Sequence, residues 1–222
     1  MTGAVRFICY DWPGGRERGL RTGPDDAPLV AIAPALFEEA NRTRTFTVQV
    51  MRRLAASGIA SVLPDLPGTG ESPVETCAAT LAAWRIAFAA AAAGAVATLA
   101  IRGGALVTGG VALPSLHFAP ATGAALVRDL ARARRVADPR RDTDEADPVE
   151  LAGNLLSRAL LAELGAAVPP PADRIVALSA PGATGSVIAG RPLWRAAEPA
   201  TDDAMAAALA ARVAEWVRSL AG

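Results

Sequence analysis

The sequence predicts a doubly wound α/β fold with a mostly parallel sheet. Two continuous apolar runs, Pro28–Leu36 and Ala60–Leu66, are typical of strands that are covered on both faces. Helical patterns separate such runs along the first half of the chain, and the links between them are short. This alternation of strand and helix is the pattern that builds a parallel sheet with helices on both sides.

The elements of the first half follow from periodicity and turn residues. Val5–Trp12 alternates as a strand, Pro13-Gly14-Gly15 predicts a turn, and Arg18–Thr22 is a candidate for the returning strand of a hairpin. The elements that follow, besides the two apolar runs, are the helix Thr43–Ser57, the helix Glu75–Ala93, the strand Ala95–Ile101, the short helix Gly103–Ala112 and the strand Ser115–Ala121.

The second half is less regular. Two predicted helices, Thr122–Val136 and Val149–Gly165, flank a charged loop, and we expect residues 122–165 to form a small helical cap over the sheet edge. Arg174–Ser179 and Ser186–Gly190 are the last strand candidates, before a closing helix over 203–220. Their link of about six residues is short for a parallel crossover. The sequence therefore predicts either an antiparallel hairpin or an irregular last strand.

Composition limits the classes of function. A chain of 222 residues with 20% charged residues and a net charge of zero fits one soluble domain spanning 1–222. Nothing in this balance favours nucleic acid or an anionic membrane. Cys9 and Cys77 are too few for a disulfide framework or a zinc site, so no metal is expected. The chain lacks a signal-peptide pattern and a stretch long enough to span a bilayer, which predicts a cytoplasmic protein without membrane insertion.

The segment Asp65–Ser72 follows a strand and matches D-x-x-G-x-G-x-S, a turn found in many α/β-hydrolases. Its glycines permit a tight reversal, and its Asp can accept hydrogen bonds from backbone N–H groups. As a phosphate-binding loop it lacks both a Lys and the required glycine spacing. The motif predicts a structural turn, and no cofactor is expected.

The segment Thr98–Ala105 has the shape of a nucleophile elbow, a strand that runs through one residue into a helix. In an elbow of the form G-x-S-x-G the central residue is the nucleophile, whereas here it is Arg102. A guanidinium is cationic at all practical pH values and cannot attack a carbonyl, but it can bind a carboxylate or phosphate with two hydrogen bonds. The single histidine, His117, lies inside a predicted strand rather than after the last strand, where a catalytic triad requires it. We therefore expect no Ser-His-Asp catalysis.

Polar residues follow the strand Pro28–Leu36, where hydrolases of this fold place an oxyanion-hole donor. Glu38 and Glu39 have two interpretations. In one they flank a helix start capped by Asn41 or Thr43, where acids favour the positive helix end. In the other they form a salt-bridged site with Arg102, because ligands of open α/β sheets bind beyond the carboxyl ends of the strands.

Taken together these residues resemble the exosortase A system-associated hydrolases of type 2, an α/β-hydrolase-fold family. The resemblance is carried mainly by Pro34–Arg44, Leu63–Ser72, Leu99–Ala105, Phe118–Asp138, Val149–Leu164 and Ile188–Glu198. This chain departs from the family pattern in losing the first glycine of the elbow and in being shortened near Ala180–Gly185. The resemblance implies an α/β-hydrolase fold and a setting in exopolysaccharide systems. It also singles out six residues for the site: Glu38, Glu39, Asn41, Arg42, Arg102 and Trp194. Phe37, next to Glu38, is a further candidate for ligand binding.

Three functions are compatible with the sequence. In the first, which we favour, the protein lacks conventional activity and binds an anionic small molecule, or a protein partner of exopolysaccharide export, through Arg102. In the second, it is an esterase or thioesterase that uses a water activated by Glu38 or Glu39, with Arg102 stabilising negative charge on an acyl substrate. In the third, it is an unrelated α/β binding protein.

Overall fold

The computed structural model describes residues 4–137, 146–179 and 186–220. Within these ranges the chain forms ten strands and five α-helices. The strands are β1 Arg6–Trp12, β2 Gly15–Thr22, β3 Leu29–Ala33, β4 Ala60–Pro64, β5 Ala97–Ile101, β6 Ser115–Phe118, β7 Val149–Leu151, β8 Asn154–Leu156, β9 Arg174–Leu178 and β10 Ser186–Ile188. The helices are α1 Glu38–Ala56, α2 Leu81–Ala91, α3 Gly123–Ala137, α4 Arg158–Ala166 and α5 Asp203–Ser219.

Eight strands form one sheet in the order β1-β2-β4-β3-β5-β6-β9-β10. The hairpin β1–β2 is antiparallel and joins β4 antiparallel, whereas every pair from β4 to β10 is parallel. The predicted α/β class with a mostly parallel sheet is therefore confirmed. Parallel pairing brings the carboxyl ends of β3, β5 and β6 to one edge, which is where ligands bind in sheets of this kind.

Two buried clusters lie among the helices that flank the sheet. One contains Phe46 of α1 and Leu209 of α5, and these two helices pack against each other. The other contains Trp84 of α2, Leu126 of α3 and Leu160 of α4. Because β3 and β5 contribute side chains to both clusters, their near-continuous apolar sequence is explained. No helix among the described residues combines the length and apolar character needed to cross a bilayer.

The predicted helix Val149–Gly165 is wrong in its first half. The segment forms the hairpin β7–β8, and only Arg158–Ala166 is helical. Ala152 and Gly153 at the hairpin turn both have positive φ, 50° and 77°, which is the backbone of a two-residue hairpin turn. Ser157 then starts α4 by accepting a hydrogen bond from the backbone N–H of Leu160. The predicted cap 122–165 consequently contains a small hairpin between its two helices.

The last two strands are parallel, so of the two predicted arrangements the antiparallel hairpin is wrong. Ser186 pairs with Val176 and Ile188 pairs with Leu178 in parallel register. Because β10 has only three residues, the chain has to go back only ~10 Å from the end of β9 to the start of β10. A link of seven residues can span roughly 24 Å, so its length permits parallel pairing without a crossover helix. The predicted departure from the family pattern at Ala180–Gly185 lies outside the described residues.

Two further boundaries differ from the predictions. Helix α1 begins at Glu38, five residues before the predicted Thr43, so neither Asn41 nor Thr43 is its N-cap. Thr43 instead lies inside the helix, and its hydroxyl donates to the carbonyl of Glu39 at 2.7 Å. The short helix predicted over 103–112 consists of two 3-10 turns, Arg102–Leu106 and Thr108–Gly110.

Candidate functional site

Arg102 occupies the sharp bend between β5 and the turn that follows it. Its φ of 54° lies in the left-handed region, which is the strained conformation expected of an elbow residue. A Cβ at Gly104 would overlap the backbone oxygens of Ala33 and Pro34, so only glycine lets the elbow approach the end of β3 this closely. The elbow geometry is therefore intact, with a guanidinium where a nucleophile would stand.

The guanidinium of Arg102 is held by three neighbours. Its Nη2 donates to Oε1 of Glu39 at 2.9 Å, and its Nε donates to both carboxylate oxygens at 3.2 and 3.3 Å. Its Nη1 donates to the carbonyl oxygen of Ala119 at 2.8 Å. Its Cζ atom lies over the indole of Trp194, 4.3 Å from the ring centroid, which is a cation–π contact.

This ion pair is buried. The side chains of Arg102 and Glu39 are only 13% and 10% exposed, so solvent screens their attraction weakly. Burial raises the pKa of the Glu39 carboxyl, while the hydrogen bonds and the charge of Arg102 act in the opposite direction. A carboxylate with this surrounding is stable as an anion only because the guanidinium is beside it.

Three residues with left-handed backbone surround the pair. Phe37 has φ 57°, Arg102 φ 54° and Ala119 φ 45°, and they follow β3, β5 and β6 respectively. None of them is glycine, so each carries a steric penalty of about 1–3 kcal/mol that the rest of the fold has to hold in place. Strain at the ends of three neighbouring strands marks this edge as a fixed, preorganised site.

The structure brings most of the predicted residues together at this edge. Glu39 and Arg102 form the ion pair, and Arg42 donates from Nη1 to the carbonyl oxygen of Trp194 at 3.1 Å. Glu38 is half-buried and accepts a hydrogen bond from Asn154 of β8 at 3.4 Å. Asn41, by contrast, is exposed on α1 and does not line the pocket described below.

A pocket of about 670 Å³ opens beside the ion pair. Its walls come from the start of α1, from α3 and from the 3-10 turn Leu193–Arg195. The lining residues are Leu36, Phe37, Glu38, Glu39, Arg42, Leu126, Asp129, Leu130, Arg132, Ala133, Val136, Trp194 and Arg195. Sequence reasoning missed the contribution of α3 and of Arg195, since helical spacing on α3 predicts a buried face but not which cavity that face borders.

No arrangement of a catalytic triad appears among the described residues. His117 is buried in β6, where burial lowers its pKa, and its Nε2 lies 3.5 Å from the hydroxyl of Thr108. The residue that approaches the elbow from beyond the last strand is Trp194, where a triad would need an imidazole. In the described part of the chain no three His, Cys, Asp or Glu side chains lie close enough to hold a metal.

The turn Asp65–Ser72 is structural, as predicted. Asp65 accepts hydrogen bonds from Arg44 at 3.1 Å and from the backbone N–H of Glu71 at 3.3 Å. Gly70 has φ 55°, and a Cβ there would contact the carboxylate of Asp65 closely. The acid thus fixes its own turn and takes no part in the site around Arg102.

Solved structures similar to this chain include proteins of the α/β-hydrolase fold. Est1E from Butyrivibrio proteoclasticus, solved with ferulic acid bound, matches 96% of this chain and 98% of its own at 14% identity, with a TM-score of 0.63. A protein from Agrobacterium vitis S4 described as a hydrolase matches 99% of both chains at 14% identity, with a TM-score of 0.52. A hypothetical protein from Pseudomonas aeruginosa matches 79% of this chain and 77% of its own at 12% identity, with a TM-score of 0.53.

The chain therefore has the α/β-hydrolase fold. No family model and no curated protein matches it. At such low identities structural likeness establishes the fold and not the reaction, because this fold supports many functions. The function has to be argued from the site itself.

Proposed function

We propose that this protein is an α/β-hydrolase-fold binding protein that lacks Ser-His-Asp catalysis and holds an anionic small molecule beside Arg102. The observation that supports this proposal is the closed ion pair at the elbow. The guanidinium is engaged by Glu39 and stacked on Trp194, so the positions of nucleophile and base are filled by groups that can perform neither role. What remains open at this edge is the pocket.

The role of Arg102 in this proposal is to set the charge of the pocket wall. Its Nε and Nη2 donate to Glu39. The pocket lies beside this ion pair, so a ligand can bind there while the pair stays intact. The positive charge of Arg102 compensates the negative charge of Glu39. Without Arg102, Glu39 would repel an anion in the pocket, and the low dielectric constant of the protein interior would strengthen that repulsion. Arg42, on the same helix as Glu39, then lines the pocket as a further cation.

The biological setting is proposed from the resemblance. The segments Pro34–Arg44 and Ile188–Glu198, which resemble the type 2 exosortase A system-associated hydrolases, supply the ion-pair acid and the stacking indole of the site. We place the protein in the cytoplasm, in a system of exopolysaccharide export, as a shortened member of that family. Its partner there is a small anion or a protein of the same system.

A direct test combines a covalent probe, substrates and ligands. The purified protein is treated with a fluorophosphonate, assayed on short p-nitrophenyl esters and acyl-thioesters, and heated with small carboxylates and sugar phosphates. We expect no adduct, no turnover above a blank, and a higher melting temperature with at least one class of anion. A covalent adduct on any Ser or Cys would contradict the proposal.

The second candidate is an esterase or thioesterase in which Glu38 or Glu39 activates a water. One observation favours it: burial raises the pKa of Glu39, which moves that carboxyl toward the range of a general base at neutral pH. Turnover that is lost in both Glu39→Gln and Arg102→Ala, and kept in the exposed control Glu71→Gln, would favour this candidate over the binding protein. Turnover lost only in Glu38→Gln would assign the base to Glu38.

A further inference from the structure

The pocket beside the ion pair is lined by apolar and charged side chains in nearly equal measure. Phe37 and Trp194 are each 8% exposed, and Leu126 and Leu130 of α3 are nearly buried, although all four border the cavity. Val136, six residues beyond Leu130 on α3, lies at the pocket with 78% of its surface exposed. A cavity of about 670 Å³ is within the range of roughly 300–1,000 Å³ that is usual for small-molecule sites. The apolar part of this lining suits an alkyl or aryl group, and the charged part is considered next.

The same pocket has two exposed arginines on its wall. Arg132 projects from α3 and Arg195 from the 3-10 turn after β10. Within the described residues neither guanidinium lies in ion-pair range of a carboxylate. An unpaired guanidinium at the rim of a cavity is suited to a carboxylate or phosphate, which it can bind with two hydrogen bonds.

The acidic residues of the pocket determine where an anionic group can bind. Glu39 is neutralised by Arg102, which leaves Glu38 and Asp129 against the guanidinium groups of Arg42, Arg132 and Arg195. This is an excess of one positive charge. Arg42 uses Nη1 on the carbonyl of Trp194 and Glu38 accepts from Asn154. Arg132 and Arg195 are more exposed than Arg42 and have no carboxylate partner among the described residues, so they are the cations best placed to meet a ligand at the mouth of the pocket.

We propose, building on the function proposed above, that the ligand is an amphipathic anion, an alkyl or aryl chain that carries one carboxylate or phosphate. Its apolar part lies on Phe37, Leu130 and Trp194, and its anionic group is bound at the rim by Arg132 and Arg195. These two arginines determine the specificity for charge. Arg102 does not contact the anionic group, but it holds Glu39 and Trp194 in place on the pocket wall.

The test uses three probes that separate the two halves of the ligand. Octanoate carries both halves, octan-1-ol only the chain, and acetate only the carboxylate. Binding is measured by calorimetry on the wild-type protein and on the double variant Arg132→Gln/Arg195→Gln. The matched control is Arg128→Gln/Arg191→Gln, which removes the same charge from exposed sites on α3 and after β10 that do not line the pocket.

We expect wild-type protein to bind octanoate more tightly than either octan-1-ol or acetate. The pocket variant should lose about tenfold to hundredfold in octanoate affinity, the effect of removing hydrogen bonds between charged groups, with octan-1-ol affinity unchanged. The control variant should bind octanoate within about twofold of wild type. Each half of the proposal is therefore tested separately.

Other outcomes overturn this inference in distinguishable ways. Equal affinity for octanoate and octan-1-ol would show that the anionic group does not contribute to binding. Equal affinity for octanoate and acetate would show that the chain does not contribute. An equal loss in the pocket and control variants would reduce the effect to net charge. If octanoate does not bind while sugar phosphates stabilise the protein, the amphipathic ligand is wrong and the function proposed above stands. Ester turnover that depends on Glu39 would instead contradict that function.

Discussion

Two buried glutamates lie in different parts of the molecule and are stabilised in different ways. Glu39 is 8% exposed at the carboxyl edge of the sheet and forms its ion pair with Arg102. Glu17 is 1% exposed in the hairpin β1–β2, and neither of its carboxylate oxygens makes a hydrogen bond within the described residues. The hairpin glutamate therefore lacks the cation that the edge glutamate has.

The surroundings of Glu17 favour its neutral form. Burial raises the pKa of its carboxyl, the nearby hydroxyl of Ser72 and indole of Trp12 lower it, and the charge of Asp65 raises it again. A buried acid without a cation avoids the penalty of a bare charge by binding a proton. The carboxyl of Glu39 has a buried cation beside it, whereas burial without a cation shifts the pKa of Glu17 toward the neutral form.

The largest effect is expected at the paired glutamate. Arg102→Ala leaves Glu39 buried without its cation and should lower the free energy of unfolding by about 3–5 kcal/mol. The double variant Arg102→Met/Glu39→Leu removes both charges and should recover most of that loss, because an apolar pair of similar volume needs no compensation. Urea denaturation of wild type and both variants measures the difference. A single variant as stable as wild type would show that the pair is not buried in solution.

A smaller and pH-dependent effect is expected at the unpaired glutamate. Because the pKa of Glu17 is raised in the folded state, folded protein binds more protons than unfolded protein above the ordinary Glu pKa. Its contribution to stability is therefore present at low pH and lost as pH rises through the folded pKa. Glu17→Gln removes this dependence and should be more stable than wild type at neutral pH, on the order of 1 kcal/mol.

The control for that prediction is Glu71→Gln, which removes an exposed carboxylate from the adjoining turn. Thermal unfolding between acidic and neutral pH should show the gap between Glu17→Gln and wild type widening as pH rises, while the gap for Glu71→Gln stays nearly constant. A widening of equal size in both variants would assign the effect to net charge and would remove the distinction between the two buried glutamates.

The elbow could be predicted from the sequence because its determinants are local. An apolar strand that ends at Arg102 before two glycines fixes the bend, and the polar residues after β3 must lie beside it once the sheet is parallel. The choice between helix capping and ion pairing could not be made in advance. Both interpretations were partly right, since Glu38 and Glu39 lie in the first turn of α1 and Glu39 also binds Arg102.

The features that escaped prediction depend on contacts distant in sequence or on a single turn. The leucines of Val149–Gly165 fit a helical period, and only the positive φ at Ala152 and Gly153 turns the first half into a hairpin. The rim arginines carry no signal of their own, because Arg132 and Arg195 are 63 positions apart and line one pocket only in the folded protein. Local patterns predict elements well, whereas pockets arise from how the elements pack.

The smallest effect is expected where an ion pair of the same chemistry lies in water. Arg16 and Asp11 in the hairpin β1–β2 approach to 3.5 Å, but their side chains are 69% and 78% exposed. Solvent and salt screen such a pair, so a double-mutant cycle with Arg16→Gln and Asp11→Asn should give a coupling energy of about 0.5 kcal/mol or less. The same cycle with Arg102→Met and Glu39→Leu should give a coupling several times larger. Equal coupling energies would mean that burial does not strengthen the Arg102–Glu39 pair relative to the exposed pair. The charges at the elbow would then not be preorganised.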